Sequence, residues 1–394
     1  MDSLSKANGA FAIQVLKMLC QDRPSQNVFF SPLSISSALG MVLLGAKGNT
    51  KVQMAQVSFP VTDKEGLYTN ITERLPLHYA CCSCLLLLLF QICLQEEDIH
   101  KGFQILLTQV NNPGSKYLLT MANRLFGEKT CDFLSESCLR FYHGELELLS
   151  FAEDTEKSRE HINTWVSKET KGKIPELLPM NSIDEQVRLL LVNAIYFQGT
   201  WDKPFDKTCT EVRPFKINQR DKRPVQMMCQ KANFNFIYIS EAQAQMVELP
   251  YAGKTLSMII LLPDEDVDLS VVSREGLHSF ELTISVGRIG FKLQGDYNLE
   301  SVLQRLGMVD AFQQGQANLS AMSTETDLCL SKVVHKSVVE VNEEGTEAAA
   351  AIDIDTIFDC ISCAPTFHAD HPFLFFIRHN RTNTLLFCGR FSCP

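Results

Sequence analysis

Apolar side chains recur at helical spacing near the start of the chain. Phe11, Val15 and Leu19, with Ala12 and Leu16 beside them, form one face of a predicted first helix. A second helix is predicted to start sharply, because Ser31 can cap the free N–H groups while Pro32 takes the first helical position, where a missing donor costs nothing. Its continuation through Gly40-Met41-Val42-Leu43-Leu44-Gly45 has no polar face and predicts burial all round. A third predicted helix, Glu156 to Thr170, gathers Ile162, Trp165 and Val166 on one side and stops at Gly172. The predicted strands are shorter. Leu189 to Phe197 is a continuous apolar run before the Gly199 turn, the pattern of a central strand covered on both faces. Leu256 to Leu262, closed by Pro263, is similar, as are Phe373 to Ile377 and Thr384 to Cys388. Helices dominate the first half and strands the second, which predicts an α+β fold with large sheets rather than a βαβ alternation. No linker or internal repeat divides the chain, so residues 1–394 read as one domain.

Tyr79 to Leu94 (YACCSCLLLLLFQICL) departs from that pattern. Fourteen of its sixteen residues are apolar, yet a bilayer span needs about 20. A buried helix or a segment inserted into the fold is expected, ahead of a membrane or signal anchor, and no membrane partner is expected. The chain is 45% hydrophobic and 21% charged, with 20 Gly and 15 Pro in 394 residues, which excludes fibrous and low-complexity classes. Its 36 basic and 46 acidic residues give a net charge of −10, which argues against a nucleic-acid partner, since phosphate binding needs clustered cations. Fourteen cysteines lack the dense spacing of a disulfide scaffold, and Met1 to Lys17 has no basic stretch followed by an apolar core. The thiols therefore read as reduced and the location as cytoplasmic, with the nucleus as a second compartment. Asn70-Ile71-Thr72 and Asn318-Leu319-Ser320 match the glycosylation triplet and read as chance.

The most informative stretch is Val341 to Cys360. From Thr346 the side chains alternate: Thr346, Ala348, Ala350, Ile352, Ile354, Thr356 and Phe358 are apolar or small, while Glu347, Asp353, Asp355 and Asp359 share the opposite parity. Period two is a strand pattern, but four alanines prefer helix and aspartates are depleted in strands. The segment reads either as a loop competent to enter a sheet as an extra strand, or, over Glu344 to Ala351, as a solvated alanine-rich helix.

The Gly345-Thr346-Glu347-Ala348-Ala349-Ala350-Ala351 run resembles the hinge of an inhibitory serpin. Supporting signatures follow in the family's order: Asn27 to Ile35, Gly45 to Thr50, Asn123-Arg124-Leu125-Phe126, Val192 to Phe197, Trp201 with Pro204-Phe205, Glu248-Leu249-Pro250-Tyr251, His371 to Phe375 and Phe387 to Phe391. The start directly at the first helix resembles the ovalbumin-like, intracellular branch. The resemblance implies a serpin fold, with eight or nine helices around three sheets, and a protein that inhibits proteases without being an enzyme. It implies a reactive-centre loop at 342–365 that a serine protease cleaves and whose hinge, Glu344 to Ala351, then enters the central sheet with Thr346 first. Counted as in the family, Gly345 is the fifteenth residue before the cleaved bond, which lies between Asp359 and Cys360, with Thr356, Ile357 and Phe358 in the recognised stretch. Pro365, sixth beyond that bond, agrees. An aspartate before the bond implies a protease pocket bearing a cation, as in granzyme B or, among cysteine proteases, the caspases. Cleavage after Phe358, by a chymotrypsin-like protease, or after Asp355 are the alternatives. The resemblance also implies that Asn193 and His335 hold the sheet-opening region by polar contacts, that Trp201 is buried below the loop, and that the protein is a monomer without cofactor.

Three places depart from the family pattern. There is an insertion between Gln56 and Glu96, taken as 57–95; a few residues are missing between Leu134 and Ser137; and Ser273 to Phe291 is shortened in a region expected to supply a helix and an edge strand. An aberrant transcript would account for all three, and a non-inhibitory or defective serpin, acting as protease substrate or interaction protein, is the alternative function. Enzyme motifs are missing: there is no Gly-x-Ser-x-Gly and no phosphate loop. Cys360, Cys363, His368 and His371 are too closely spaced for a zinc finger, so no metal is expected.

Overall fold

The structure is a computed structural model that describes residues 2–60, 99–111, 116–133, 146–265, 267, 280–325, 328–343 and 366–394. Among these, the α-helices are α1 (Asp2–Asp22), α2 (Pro32–Leu43), α3 (Gly48–Ser58), α4 (99–110), α5 (Thr155–Glu169) and α6 (Glu300–Arg305). The strands are β1 (Val28–Phe30), β2 (Tyr117–Glu128), β3 (Leu146–Leu149), β4 (Leu189–Gly199), β5 (Glu211–Lys216), β6 (Lys222–Ile239), β7 (Ala244–Pro250), β8 (Leu256–Pro263), β9 (Phe280–Ile289), β10 (Phe291–Asn298), β11 (Lys332–Val341), β12 (Thr366–His368), β13 (Phe373–His379) and β14 (Thr384–Phe391).

The start of α2 follows from its first residues. The Ser31 side chain accepts a hydrogen bond from the Ser34 N–H at 3.2 Å, Pro32 opens the helix, and every residue from Pro32 to Leu43 is buried. α3 closes with Val57 and Ser58, and Phe59 is buried in the core. The first residues of the expected 57–95 insertion thus belong to the fold, and Tyr79 to Leu94 lies outside the described residues. No described helix is long and apolar enough to cross a membrane.

A five-stranded sheet has the order β10-β11-β4-β2-β3. Its centre explains the apolar run in β4. Leu189, Leu191, Ile195 and Phe197 point to the main core with α2 and the second sheet, whereas Leu190, Val192, Ala194 and Tyr196 point to a smaller core with Phe126, Ile162 and Val166. Alternate side chains pass to opposite faces of a strand, and here both faces are covered. Each fully buried Leu or Ile contributes about 1.5–3 kcal/mol.

The remaining strands form a nine-stranded sheet, β1-β14-β13-β8-β7-β6-β9-β12, with β5 also on β6. Three sheets were expected; the described strands make two, because the 18-residue β6 joins what would be separate sheets. Its first part pairs with β5, its middle with β9 and its end with β7. The shortened Ser273 to Phe291 region does not remove the edge of the central sheet: β10 pairs with β11 at eight consecutive positions, from Phe291↔Val341 to Asn298↔Val334.

Candidate functional site

The stretch singled out by its alternation leaves the central sheet at the end of β11 and returns at β12 in the other sheet. Residues 344–365 lie outside the described residues. They include the hinge Glu344 to Ala351, Thr356, Ile357, Phe358 and the Asp359–Cys360 bond.

β11 and β4 are parallel neighbours at the centre of the sheet, in register from Lys332↔Leu190 to Val339↔Phe197. A chain that turns back at the end of β11 runs antiparallel to it and therefore antiparallel to β4 as well. One strand entering between them could thus form antiparallel ladders on both sides, a pairing slightly more stable per residue than the parallel contact it replaces.

An aromatic group grips the departing chain. The Trp201 indole N–H donates to the Asn342 carbonyl at 2.8 Å, the Phe205 N–H to the Glu343 carbonyl at 2.9 Å, and the Thr210 hydroxyl to the Glu343 carboxylate at 3.0 Å. Trp201 is stacked on Tyr251 with centroids 4.4 Å apart. The Arg288 guanidinium sits 4.4 Å from the same ring and 5.7 Å from that of Phe205. Arg288 is fully buried, and among the described residues none of its three side-chain nitrogens has a hydrogen-bond partner. Burial lowers its pKa to about 10, an effect that Tyr251 partly opposes. It remains a cation at neutral pH, and among the described residues the faces of Trp201 and Phe205 compensate the lost water. Even buried ion pairs can often be replaced by apolar groups of similar volume at no cost or with a gain of about 1–4 kcal/mol, and a buried cation without a carboxylate partner carries its desolvation penalty uncompensated by an ion pair. Arg288→Met is accordingly expected to raise the melting temperature of the uncleaved protein, measured by circular dichroism.

The returning chain is held by the same strand. His368 pairs with Gly287 of β9, next to Arg288, and the Ala369 N–H donates to the Gly287 carbonyl at 2.9 Å. A Cβ at position 287 would collide with the His368 ring, so glycine is required there. His371 Nε2 donates to the Pro263 carbonyl at 2.7 Å, and its Nδ1 pairs with the Asp370 carboxylate at 2.8 Å. Cys360 and Cys363 lie outside the described residues. Among those described, no group of three or more His, Cys, Asp or Glu residues could hold a metal.

Below the exit, a polar row crosses four strands on the face toward α2. Tyr297, His335, Asn193 and Asn123 stand at directly opposed positions of β10, β11, β4 and β2. The Ser31 N–H donates to His335 Nε2 at 3.1 Å, so the ring proton is on Nδ1, which donates to the Asn193 side-chain oxygen. Asn193 Nδ2 donates to the Ser34 carbonyl at 3.0 Å, to the Ser34 hydroxyl at 2.5 Å and to the Asn123 side-chain oxygen. The Tyr297 hydroxyl accepts from the Phe29 N–H at 3.1 Å. These bonds tie β4 and β11 to the start of α2. The resemblance implies a role for Asn193 and His335 here; Asn123 and Tyr297 join them through the cross-strand register, and Ser31 and Ser34 through contacts from the start of α2.

His335 is fully buried, and burial lowers its pKa to about 3. With its folded pKa below the ordinary 6.5, the neutral ring's contribution is complete above pH 6.5 and is lost as pH falls toward 3, by up to about 1.4 kcal/mol per pH unit. Between pH 7.5 and pH 5 the protein is expected to lose roughly 2 kcal/mol more stability than His335→Gln, as measured by denaturant unfolding.

The serpin family model, described as serine protease inhibitor, matches residues 6–394. The chain belongs to the serpin family. Human Serpin B9 is 56% identical over 411 aligned positions that cover all of both chains, and Serpin B6 of Pongo abelii is 51% identical with the same coverage. The 411 positions exceed the 394 residues of this serpin, so it omits stretches that the relative has. The crystal structure of uncleaved ovalbumin superposes with a TM-score of 0.83 at 33% identity, covering 100% of this serpin and 99% of that chain. Serpins inhibit serine proteases, and the parallel β11–β4 pair lies at the centre of this serpin's sheet, directly beside the exit of the loop.

Proposed function

We propose that this serpin is a suicide-substrate inhibitor of an Asp-cleaving serine protease of granzyme B type. The protease cleaves after Asp359, the hinge Glu344 to Ala351 enters between β4 and β11, and the acylated protease is carried along and distorted before it can release itself. The parallel β11–β4 pair beside the loop exit carries this reading, since it offers a returning strand two antiparallel neighbours. The run of small residues after Gly345 supports it, because alanines enter with little steric opposition. Thr356, Ile357 and Phe358 fill the protease subsites before the bond. The acidic Asp353 and Asp355 favour a basic target surface by steering the encounter. Caspases are a second candidate class, for the same Asp preference. Cytoplasmic location and a monomeric state belong to the same proposal; among the described residues Cys20, Cys131, Cys209, Cys229, Cys388 and Cys393 are free thiols, in keeping with a reducing compartment.

Incubation with granzyme B tests the proposal. An SDS-resistant complex of the two chains is expected, with release of the peptide that begins at Cys360. Loop cleavage without complex would instead favour the second reading, a non-inhibitory protease substrate, which the omitted stretches motivate.

A further inference from the structure

The β5–β6 ladder keeps a constant register from Lys216↔Lys222 to Glu211↔Met227. Continued two residues further, that register sets Cys209 against Cys229. Thr210 is extended (φ −79°, ψ 120°), so the chain leaves the short 3-10 turn Lys207–Cys209 already directed into the ladder. Directly opposed residues of an antiparallel pair have Cα atoms about 4.5 or 5.5 Å apart, and both spacings fall within the roughly 4.4–6.8 Å that a disulfide spans. Side chains of like parity share a face. Accordingly the Cys229 thiol, whose pKa is raised first by burial, also senses Arg213, Glu211 and Cys209, the alternate side chains of the opposing segment. Both cysteines are free; Cys209 is exposed and Cys229 half-buried.

We propose that Cys209 and Cys229 form a peroxide-sensitive dithiol site that closes to a disulfide. The accessible Cys209 thiolate attacks one oxygen of hydrogen peroxide, the O–O bond breaks, and a sulfenic acid forms with loss of hydroxide, which takes up a proton to become water. The Cys229 sulfur then attacks the Cys209 sulfur; the S–S bond forms as the S–O bond breaks, and a second water leaves. In total, two thiols and one peroxide give one disulfide and two waters. The site lies where the loop exit is gripped. Gln230, next to Cys229, donates to the Lys203 and Pro204 carbonyls at 3.2 and 2.8 Å, and Thr210, next to Cys209, holds Glu343. The disulfide would tie the segment that carries these contacts covalently to β6. It rests on the β5–β6 geometry alone and is independent of the protease that the loop meets.

The test uses the full-length, fully reduced protein, treated with one equivalent of hydrogen peroxide and then blocked with iodoacetamide. Trypsin cuts after Lys207, Lys216, Lys222 and Lys231, while Arg213 and Arg223 precede proline and resist, so 208–216 and 223–231 each carry one of the two cysteines. The expected result is a single species of these peptides linked, lighter than their sum by two hydrogens, abolished by dithiothreitol and absent from Cys209→Ser. Recovery of both peptides alkylated, or of Cys209 as sulfinic acid or joined to another cysteine, would overturn the proposal.

Discussion

Thr346→Arg is expected to turn the inhibitor into a plain substrate, with complex formation falling at least about 100-fold while loop cleavage continues. The sheet centre explains the size of the effect. β4 is buried on both faces from Leu189 to Phe197, so the first residue to enter beside it must shed its water. Thr346 can exchange its single hydroxyl contact for a backbone or side-chain acceptor. A guanidinium entering unpaired carries a desolvation cost of several kcal/mol, and about 1.4 kcal/mol on a barrier is a tenfold change in rate. Inhibition is a race between strand entry and release of the acyl-enzyme, so a thousandfold slower entry loses nearly every encounter. Quantifying complex against cleaved protein on denaturing gels, with wild type and variant at equal protease, gives the ratio directly. Thr346→Ser retains size and hydroxyl and should behave as wild type.

Asp359→Ala is expected to slow reaction with granzyme B by roughly 100-fold or more, since losing one member of a buried charge pair costs about 2–5 kcal/mol. The carboxylate enters a pocket that holds a cation, and alanine leaves that cation buried and unmatched. The same variant leaves Phe358 in place, so a chymotrypsin-like protease that cleaves after Phe358 should be unaffected. Second-order rates for both protease types therefore assign the bond: a fall with granzyme B alone supports Asp359, and an unchanged rate with granzyme B contradicts it.

Much of this architecture is legible in the sequence where one interaction dominates. The α2 start needs only Ser31 and Pro32, and the two-sided burial of β4 is written in its unbroken apolar run. β6 escapes notice because Gln230, Lys231, Asn233 and Asn235 interrupt its middle; its length is imposed by pairing to three other strands, not by its own residues. The polar row is partly readable. Asn193 stands out as the one amide in the apolar run Leu189 to Phe197, but its link to Asn123 and Tyr297 depends on register across strands far apart in sequence. Arg288 gives no signal at all, since nothing in Val286-Gly287-Arg288-Ile289 tells that the cation is covered by Trp201. The facing of Cys209 and Cys229 is equally silent until β5 and β6 are paired.

The account turns on whether the nicked loop becomes a strand between β4 and β11. A strand of about a dozen residues gains hydrogen bonds to both neighbours at about 1 kcal/mol each, enough to raise the melting temperature of a chain this long by on the order of 10 °C or more. Calorimetry of the protein before and after limited cleavage within 352–360 measures that change. A large upward shift is the expected result; an unchanged or lowered transition would mean that the cut segment stays outside the sheet, and the inhibitory mechanism would have to be abandoned.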